Sequence, residues 1–585
     1  MLNIFIEKVN EVYDIITESI DSMYKLIAIY NLKKIFNFSD AEIFSGYYTK
    51  LIRKNKDNGV VYTPEFIADY MVKNTIKKED IIENPYIKVF DPSCGSGNLI
   101  IACFKYMDKI YNENIQLINK NLTKKNKITD IKSHIVKNNL FGVDIDEFAL
   151  KLLVIDLFLL SDTVAYNFSA RDFLLSDSEN TYDYIIGNPP YVGHKTINRN
   201  YSVLLKEKFP DIFIDKGDLS YCFFYKGLTY LKEDGKLAFI SSRYFLEAPS
   251  SHGLRKFLST KTNILSIIDF YGIRPFSGIG IDPLIIVIKK PNKKEESKKD
   301  VIRIIKPISS KNKMEFIGSV FYDKGNNYKE FYLEQQLLGC EVWILKESIG
   351  RSIIEKIKNK CKRSLSDICF SNQGIITGCD SAFVIDKDIL EEYNIEKELV
   401  KPWIKSTNIL KGCVVEKAKL LIYSNIITSE EQFPNAIRYI GKEKSRLENR
   451  RECIKGIRQW YELQWGRDKQ LFEERKIIFP YKASDNRFAI DEGKFFSADV
   501  YTLRLKDNTD YNLEWLEAIL NTKLYEFYYK AFAKKLGDEL YEYYPNNVMK
   551  LMIPDIVGLE NISNDILYKV FELNEEEISI INSEI

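Results

Sequence analysis

The stretch Ile185-Ile186-Gly187-Asn188-Pro189-Pro190-Tyr191 ends an apolar, strand-like run with a small amide, two prolines and an aromatic. Those residue types suit a particular chemistry. An exocyclic amino group on a nucleobase or an amide is a poor nucleophile, because its lone pair is delocalised into the adjoining π-system. The side-chain oxygen of Asn188 and the main-chain carbonyl of Pro189 can each accept one N–H, helping to localise that lone pair toward an electrophile such as a methyl donor. The prolines fix φ and leave their carbonyls free, while Tyr191 offers a flat face for a planar group. Asn-Pro is also a common turn signal, so taken alone the stretch reads equally as the end of a strand.

Its neighbours favour a site. Ile87 to Phe90 reads as a strand that feeds Asp91-Pro92-Ser93-Cys94-Gly95-Ser96-Gly97 and then a helix, an order that lets backbone approach a nucleotide-like ligand. A bare G-x-G is weak evidence. It gains weight from Leu140 to Asp146, where Asp144 ends a second strand and can accept ribose hydroxyls, with Ile145 beside it. The long interval between the two strands is filled by a polar insert, about Asn112 to Lys132, expected as a surface helix or loop. Ser169 to Phe173 is a third candidate edge, in which Asp172 and Phe173 could hydrogen-bond and stack on a ligand's purine; a surface turn is the alternative for Asp172.

These pieces need a scaffold. Helix-like and strand-like segments alternate from about residue 60 to 290, with strands expected at Gly235 to Ile240, Ile264 to Phe270 and Leu284 to Ile288, and a helix beginning at Asp218-Leu219. That is the pattern of a doubly wound α/β domain. A short strand-like piece at Gly59 to Val61 precedes Tyr62-Thr63-Pro64-Glu65, where a capped helix is expected to start. Residues 1–50 show apolar residues at helical spacing and are expected to form a helical extension. Lys289 to Lys299 reads as a solvated loop, and from about 300 onward the βα alternation stops.

The chain has 585 residues, long for one domain, and a formal net charge of +1, so any nucleic-acid surface must be local rather than global. One candidate is Arg446 to Lys482, which interleaves Arg450, Arg451, Arg458, Arg467, Lys476 and Lys482 with Trp460, Tyr461, Trp465 and Phe479. Such a mixture suits phosphate contact and base readout; a charged helix balanced by Glu448, Glu452, Glu462, Glu473 and Glu474 is the alternative. Nine cysteines without a C-x-x-C pair, and only three histidines, make a zinc motif unexpected and suggest a reducing compartment. No apolar run is long enough to span a bilayer, and Met1 to Ser19 lacks the pattern of a secretory signal, so a cytoplasmic protein is expected.

Taken in order, these motifs resemble the N6-adenine DNA methyltransferases of the gamma arrangement, in which a Tyr-Thr-Pro motif precedes the glycine loop, Asn-Pro-Pro-Tyr follows, and a target-recognition domain ends the chain. Further stretches, Gln373 to Asp380, Glu448 to Cys453, Trp460 to Arg467 and Tyr544 to Asn546, are similar to orphan members of that family. The resemblance implies a Rossmann-like, S-adenosylmethionine-dependent methyltransferase domain followed by a mixed α+β target-recognition domain. It divides the chain into a helical extension (1–50), a catalytic domain (51–295), a connector (296–365) and a recognition domain with a C-terminal helix (366–585). S-adenosyl-L-methionine would be held by Tyr62, Thr63, Pro64, Asp91, Cys94, Gly95, Gly97, Asp144, Ile145, Asp172 and Phe173.

Asn188, Pro189 and Tyr191 would be catalytic, and a flipped adenine would lie between Tyr191 and Phe276. Double-stranded DNA would be contacted by Arg450, Arg451, Arg458, Trp460, Trp465 and Arg467, at an A-rich, non-palindromic site, by a monomer. Neither a metal nor a covalent intermediate is implied, because the product proton can leave once the nitrogen is positively charged. Leu99 departs from the family, which usually has Phe there. Methyl transfer to RNA or to protein glutamine, and a DNA-binding regulator that keeps only the fold, are the rival readings. A fused nuclease is disfavoured, since no spare stretch would house one.

Overall fold

The computed structural model describes residues 2–39, 42–48, 62–193, 196–214, 216–276, 280–292, 301–309, 311–415, 418–507, 509–537, 539–555 and 562–585. The strand-like piece at Gly59 to Val61 and most of the charged loop after Pro291 lie outside them. The chain folds as two units, Met1–Leu345 and Lys346–Ile585.

A nine-stranded sheet organises the first unit: β1 (Val89–Asp91), β2 (Leu140–Asp144), β3 (Phe168–Ala170), β4 (Tyr182–Gly187), β5 (Leu231–Ser242), β6 (Asn263–Asp269), β7 (Pro283–Lys289), β8 (Val301–Pro307) and β9 (Tyr328–Glu334). Their spatial order is β3-β2-β1-β4-β5-β7-β6-β8-β9. The first five run parallel, β7 is antiparallel to both β5 and β6, and β8 and β9 extend the far edge. Strands such as β1 and β7 are apolar along nearly their whole length because both faces are covered, each by its own core cluster.

The strands expected within 235–288 and the helix after Asp218 are where the pattern placed them. That helix is Leu219–Tyr230, capped by Asp218 through Ser220 N–H. The polar insert continues the helix after the glycine loop, Asn98–Asn121. One detail differs. Thr63 does not cap the helix Glu65–Thr75; Pro64 is the cap residue, and its carbonyl accepts from the N–H groups of Ile67 and Ala68.

The N-terminal residues form two helices, Leu2–Thr17 and Ser22–Ile35, which pack on the helix Glu147–Ser161 through Leu152, Ile155 and Phe158. This explains the longest apolar run in the sequence: Glu147–Ser161 is covered by the sheet on one side and by the extension on the other. Within this contact Asp156 is fully buried, and its carboxylate accepts from the N–H groups of Phe44 (2.8 Å) and Ser45 (3.0 Å). Burial pushes its pKa up to about 6.

The second unit is mixed α+β. One four-stranded sheet joins Cys369–Phe370, Val500–Leu505, Lys476–Pro480 and Ala489–Asp491; another joins Val384–Ile385, Leu420–Ile422, Val400–Ile404 and Phe495–Phe496. A shared core containing Phe383, Trp403, Phe472 and Ile478 holds them together. The terminal helix Glu575–Glu584 docks on Ser348–Lys360 through the pair Lys356–Glu577 at 2.7 Å.

Candidate active site and nucleic-acid interface

Three neighbouring parallel strands deliver the site. β1, β2 and β4 end on the same edge of the sheet, and the loops beyond their C-terminal ends carry the motif residues, as ligand sites in open α/β sheets generally do. The glycine loop needs its glycines. Gly95 has φ 50° and Gly97 φ 93°, in the left-handed region. A Cβ on Gly97 would lie 2.1 Å from Cδ1 of Leu153. The loop is anchored by Cys94 N–H donating to the Val143 carbonyl (3.0 Å) and Gly97 N–H to the Cys94 carbonyl (2.8 Å).

Asp144 is oriented by main chain. Its Oδ2 accepts from Gly95 N–H at 2.7 Å and its Oδ1 from Asp146 N–H at 2.9 Å, leaving further lone pairs on each oxygen for a ligand. Burial raises its pKa. Asp146, the other acid of this loop, is occupied as the cap of the helix Glu147–Ser161, accepting from Phe148 and Ala149 N–H. Ile145, between the two acids, is 79% exposed and offers an apolar face at the rim of the loop. Asp91 is buried and takes Ser93 N–H on Oδ1 (3.0 Å); burial pushes its pKa up to about 8, with the Asp144 charge adding to the effect. Cys94 is buried too, and its thiol is held well above the ordinary range, which makes it a packing residue rather than a nucleophile.

Asn188 follows β4. Ser93 Oγ donates to its carbonyl at 3.2 Å, tying the Asn-Pro-Pro-Tyr motif to the glycine loop. The Tyr191 hydroxyl donates to Asn188 Oδ1 at 2.6 Å and reaches the Ile240 carbonyl at 3.3 Å. Burial raises the phenol's pKa, so it remains a donor. The side-chain oxygen proposed for an amino group thus holds an O–H in this arrangement. Pro189 is buried beside it.

Other predicted residues sit differently. Phe173 is packed against Phe90, Phe223 and Tyr230 with ring centroids 5.7, 5.4 and 5.4 Å away, so its ring belongs to the core and cannot stack on a purine. Asp172 remains at the edge: its Oδ1 accepts from Leu174 N–H and its Oδ2 from the Tyr201 hydroxyl at 2.8 Å. Phe276 is also buried, in the cluster with Phe270 and Ile273, and its face is not open to a base here. Tyr62 packs against the core of the N-terminal helices, and Thr63 lends its carbonyl to Asn98 Nδ2 at 3.0 Å. Sequence reading passed over Ser93, Asn98 and Tyr201. The first two flank the glycines and were open to the same reasoning; Tyr201 has no local signal.

In the second unit, the stretches Gln373 to Asp380 and Trp460 to Arg467 meet on one surface. Ile376 and Trp465 bridge, Arg467 Nε donates to the Gly374 carbonyl (3.3 Å), and Arg467 Nη2 to Gln373 Oε1 (3.3 Å). An open cleft beside them is lined by Asn372, Gln373, Arg467, Gln470 and Arg504. The basic residues divide. The guanidinium of Arg450 is turned inward, donating to the carbonyls of Trp460 (2.9 Å), Glu462 (2.8 Å) and Thr377 (3.3 Å), which makes it a fastener of this surface rather than a free cation. Trp460 is buried, with its indole N–H on Glu430 (2.8 Å), and so cannot enter a groove. Lys476 is fully buried against Asp491 at 2.9 Å. Arg451 and Arg467 are exposed; Arg458 and Trp465 are half-buried and pack together, guanidinium over ring at 5.8 Å.

Comparison with known proteins finds family matches within each of the two units. Residues 138–276 match the Eco57I restriction-modification methylase family, residues 79–177 the MmeI DNA-methyltransferase domain, and residues 407–553 the TaqI-like C-terminal specificity domain. The chain is 24% identical over 571 residues to type II methyltransferase M.BstVI of Geobacillus stearothermophilus, covering 90% of this chain and 98% of that one. It is 26% identical to M.BanIII of Aneurinibacillus aneurinilyticus, covering 91% and 96%. Among solved structures, the type IIL restriction-modification enzyme MmeI in complex with DNA matches with a TM-score of 0.53 at 15% identity, over 83% of this chain and 65% of that one. The cradle of Gly95, Gly97 and Asp144, rimmed by exposed Ile145, fits S-adenosyl-L-methionine. The first unit is thus a Rossmann-like α/β sheet domain, and the second is a mixed α+β unit whose residues 407–553 match the TaqI-like C-terminal specificity domain.

Proposed function

We propose that the chain transfers a methyl group from S-adenosyl-L-methionine to N6 of an adenine swung out of duplex DNA, at an A-rich, non-palindromic site, acting as a monomer on one strand. The observation that carries this reading is Asn188-Pro189-Pro190-Tyr191 at the end of β4, tied by Ser93 to the glycine loop of β1. The cofactor supplies the methyl group; Gly95, Gly97, Asp144, Ile145 and Asp172 would hold it. Asn188 Oδ1 and the Pro189 carbonyl accept the two N–H hydrogens of the amino group and draw its lone pair out of conjugation. The Tyr191 hydroxyl holds one lone pair of Asn188 Oδ1 and leaves the other for the incoming N–H, while the Tyr191 ring would stack on the extruded base. Phe276 would have to leave the core to cover the base's other face.

Two relatives named as type II methyltransferases, similar over nearly their whole lengths, support DNA as the substrate against RNA or protein glutamine. The MmeI structure contains DNA. In the second unit, Arg451, Arg458, Arg467 and Trp465 would face DNA. Ile454 and Ile457, 71% and 57% exposed between Arg451 and Arg458, suit an apolar wedge at a base step.

The test is Asn188→Ala assayed with tritiated cofactor on duplex DNA. Methyl transfer should fall by about 3 kcal/mol in activation free energy, roughly a hundredfold or more, as for one preorganised donor or acceptor at a reacting group, while cofactor affinity stays near that of the parent. Incorporation into RNA or protein but not DNA, or an undiminished rate in the variant, would overturn the reading.

A further inference from the structure

Away from the glycine loop, the first unit brings His252 beside two adjacent residues far from it in sequence, Cys340 and Glu341. His252, Cys340 and Glu341 each offer a ligand atom, and these three atoms lie within 4.8 Å of one another. The donor set is a nitrogen, a sulfur and an oxygen. A thiolate and an imidazole exclude the hard cations that take only oxygen, and favour a borderline ion of the zinc class. Ligand atoms around a tetrahedral ion of this kind sit about 3.4–3.7 Å apart, given bonds of roughly 2.0–2.3 Å. Rotation of exposed side chains closes the remaining distance.

The backbones that carry these ligands are fixed, which distinguishes the cluster from a chance meeting of surface groups. His252 opens the helix His252–Lys261, and the next residue, Gly253, lies so close to its neighbour that a Cβ there would fall 1.7 Å from the Asp211 carbonyl oxygen. Arg255, buried one turn later, donates from Nε to the Cys340 carbonyl at 2.9 Å and from Nη1 to the carbonyls of Phe245 and Ala248, both at 2.8 Å. On the other side of the cluster Trp343 N–H donates to the Leu246 carbonyl at 2.9 Å, and its indole N–H holds the Gly339 carbonyl at 2.8 Å. Both ligand-bearing segments are therefore pinned to one short stretch, residues 245–248. A thiolate and a carboxylate together offset the charge of a divalent ion, while the nearby Arg255 cation moderates affinity rather than abolishing it.

We infer that His252, Cys340 and Glu341 form a three-ligand site for a zinc-class divalent ion, with a fourth position open to water, that clips the start of His252–Lys261 to the last turn of the first unit. The sequence expectation of no metal rested on C-x-x-C spacing, and a site assembled from residues 88 positions apart escapes it.

The test uses the full chain, stripped with a chelator and dialysed against Zn²⁺ or Co²⁺. One ion should bind per chain, and the Co²⁺ form should show a thiolate charge-transfer band. Cys340→Ser should remove that band and His252→Ala should weaken binding at least tenfold, with a smaller loss in Glu341→Gln. Cys413→Ser, which changes an exposed cysteine elsewhere, should leave both unchanged. Equal binding by the parent, His252→Ala and Cys340→Ser, loss of the band in Cys413→Ser instead, or failure of the parent to bind micromolar Zn²⁺ would each overturn the assignment.

Discussion

Gly97→Ala separates two reasons for a glycine in the loop. At φ 93° an L-residue meets its own backbone, which costs about 1–2 kcal/mol. The added Cβ would also lie 2.1 Å from Leu153 Cδ1 and 3.0 Å from its Cγ, far inside carbon contact distance, and overpacking of that kind costs roughly 1–3 kcal/mol. Together the substitution should destabilise the first unit by about 2–5 kcal/mol and tilt the loop that positions Gly95 against Asp144. Leu153→Ala, at a fully buried position, should cost about 2–5 kcal/mol alone. In the double variant the collision is gone but the backbone strain remains, so its loss should be smaller than the sum of the single losses by about 1–3 kcal/mol. Denaturation of the four proteins gives this cycle, and calorimetry with S-adenosyl-L-methionine reads the loop, where affinity should fall more than tenfold in Gly97→Ala. Strict additivity, or unchanged affinity in Gly97→Ala, would refute the argument.

Asp144→Asn should weaken cofactor binding with little loss of fold, since an amide keeps an acceptor for one main-chain N–H but lacks the charge that strengthens bonds to hydroxyls; unchanged calorimetric affinity would contradict it. Asp91 gives a pH signature: its pKa, pushed up to about 8 in the fold from 3.8, means that the folded chain keeps a proton the unfolded chain releases. Its contribution to stability is greatest below the unfolded value and falls as pH rises toward 8, by at most about 1.4 kcal/mol per pH unit. Urea midpoints from pH 5 to 8 should decline less in Asp91→Asn than in the parent. Arg450→Ala should lower stability by breaking several carbonyl contacts, whereas Arg451→Ala should leave stability within about 0.5 kcal/mol of the parent and reduce DNA affinity and its salt slope; the reverse pattern in melting and binding curves would reassign the two.

Much of the catalytic half was legible because its signals are local. The strand, Asp91 and the glycine turn follow one another within a few residues, Asp144 ends the next strand, and the φ values of Gly95 and Gly97 are what the turn required. Burial was not legible. Phe173 and Phe276 are aromatic residues in motif-like settings, yet each is buried in a core assembled from strands and helices far apart in sequence, Phe173 against Phe90 and Phe223. The same holds for Trp460 and Arg450, whose basic and aromatic character suggested a DNA surface while Glu430 and a ring of carbonyls claimed them. The pairing of Gln373 with Arg467 is non-local too, so no spacing rule joins their two stretches into one surface.

The two-sided cover of Glu147–Ser161 sets where this protein can be divided. A fragment beginning after Tyr48 would bare Leu152, Ile155 and Phe158, each fully or almost fully buried in the intact chain, at about 1.5–3 kcal/mol apiece, and would strip Asp156 of its two main-chain donors. That exposed stripe is a surface for self-association. The first two helices are thus a structural wall of the methyltransferase domain, and a boundary that preserves its solubility lies ahead of Leu2–Thr17 rather than at the first recognisable motif.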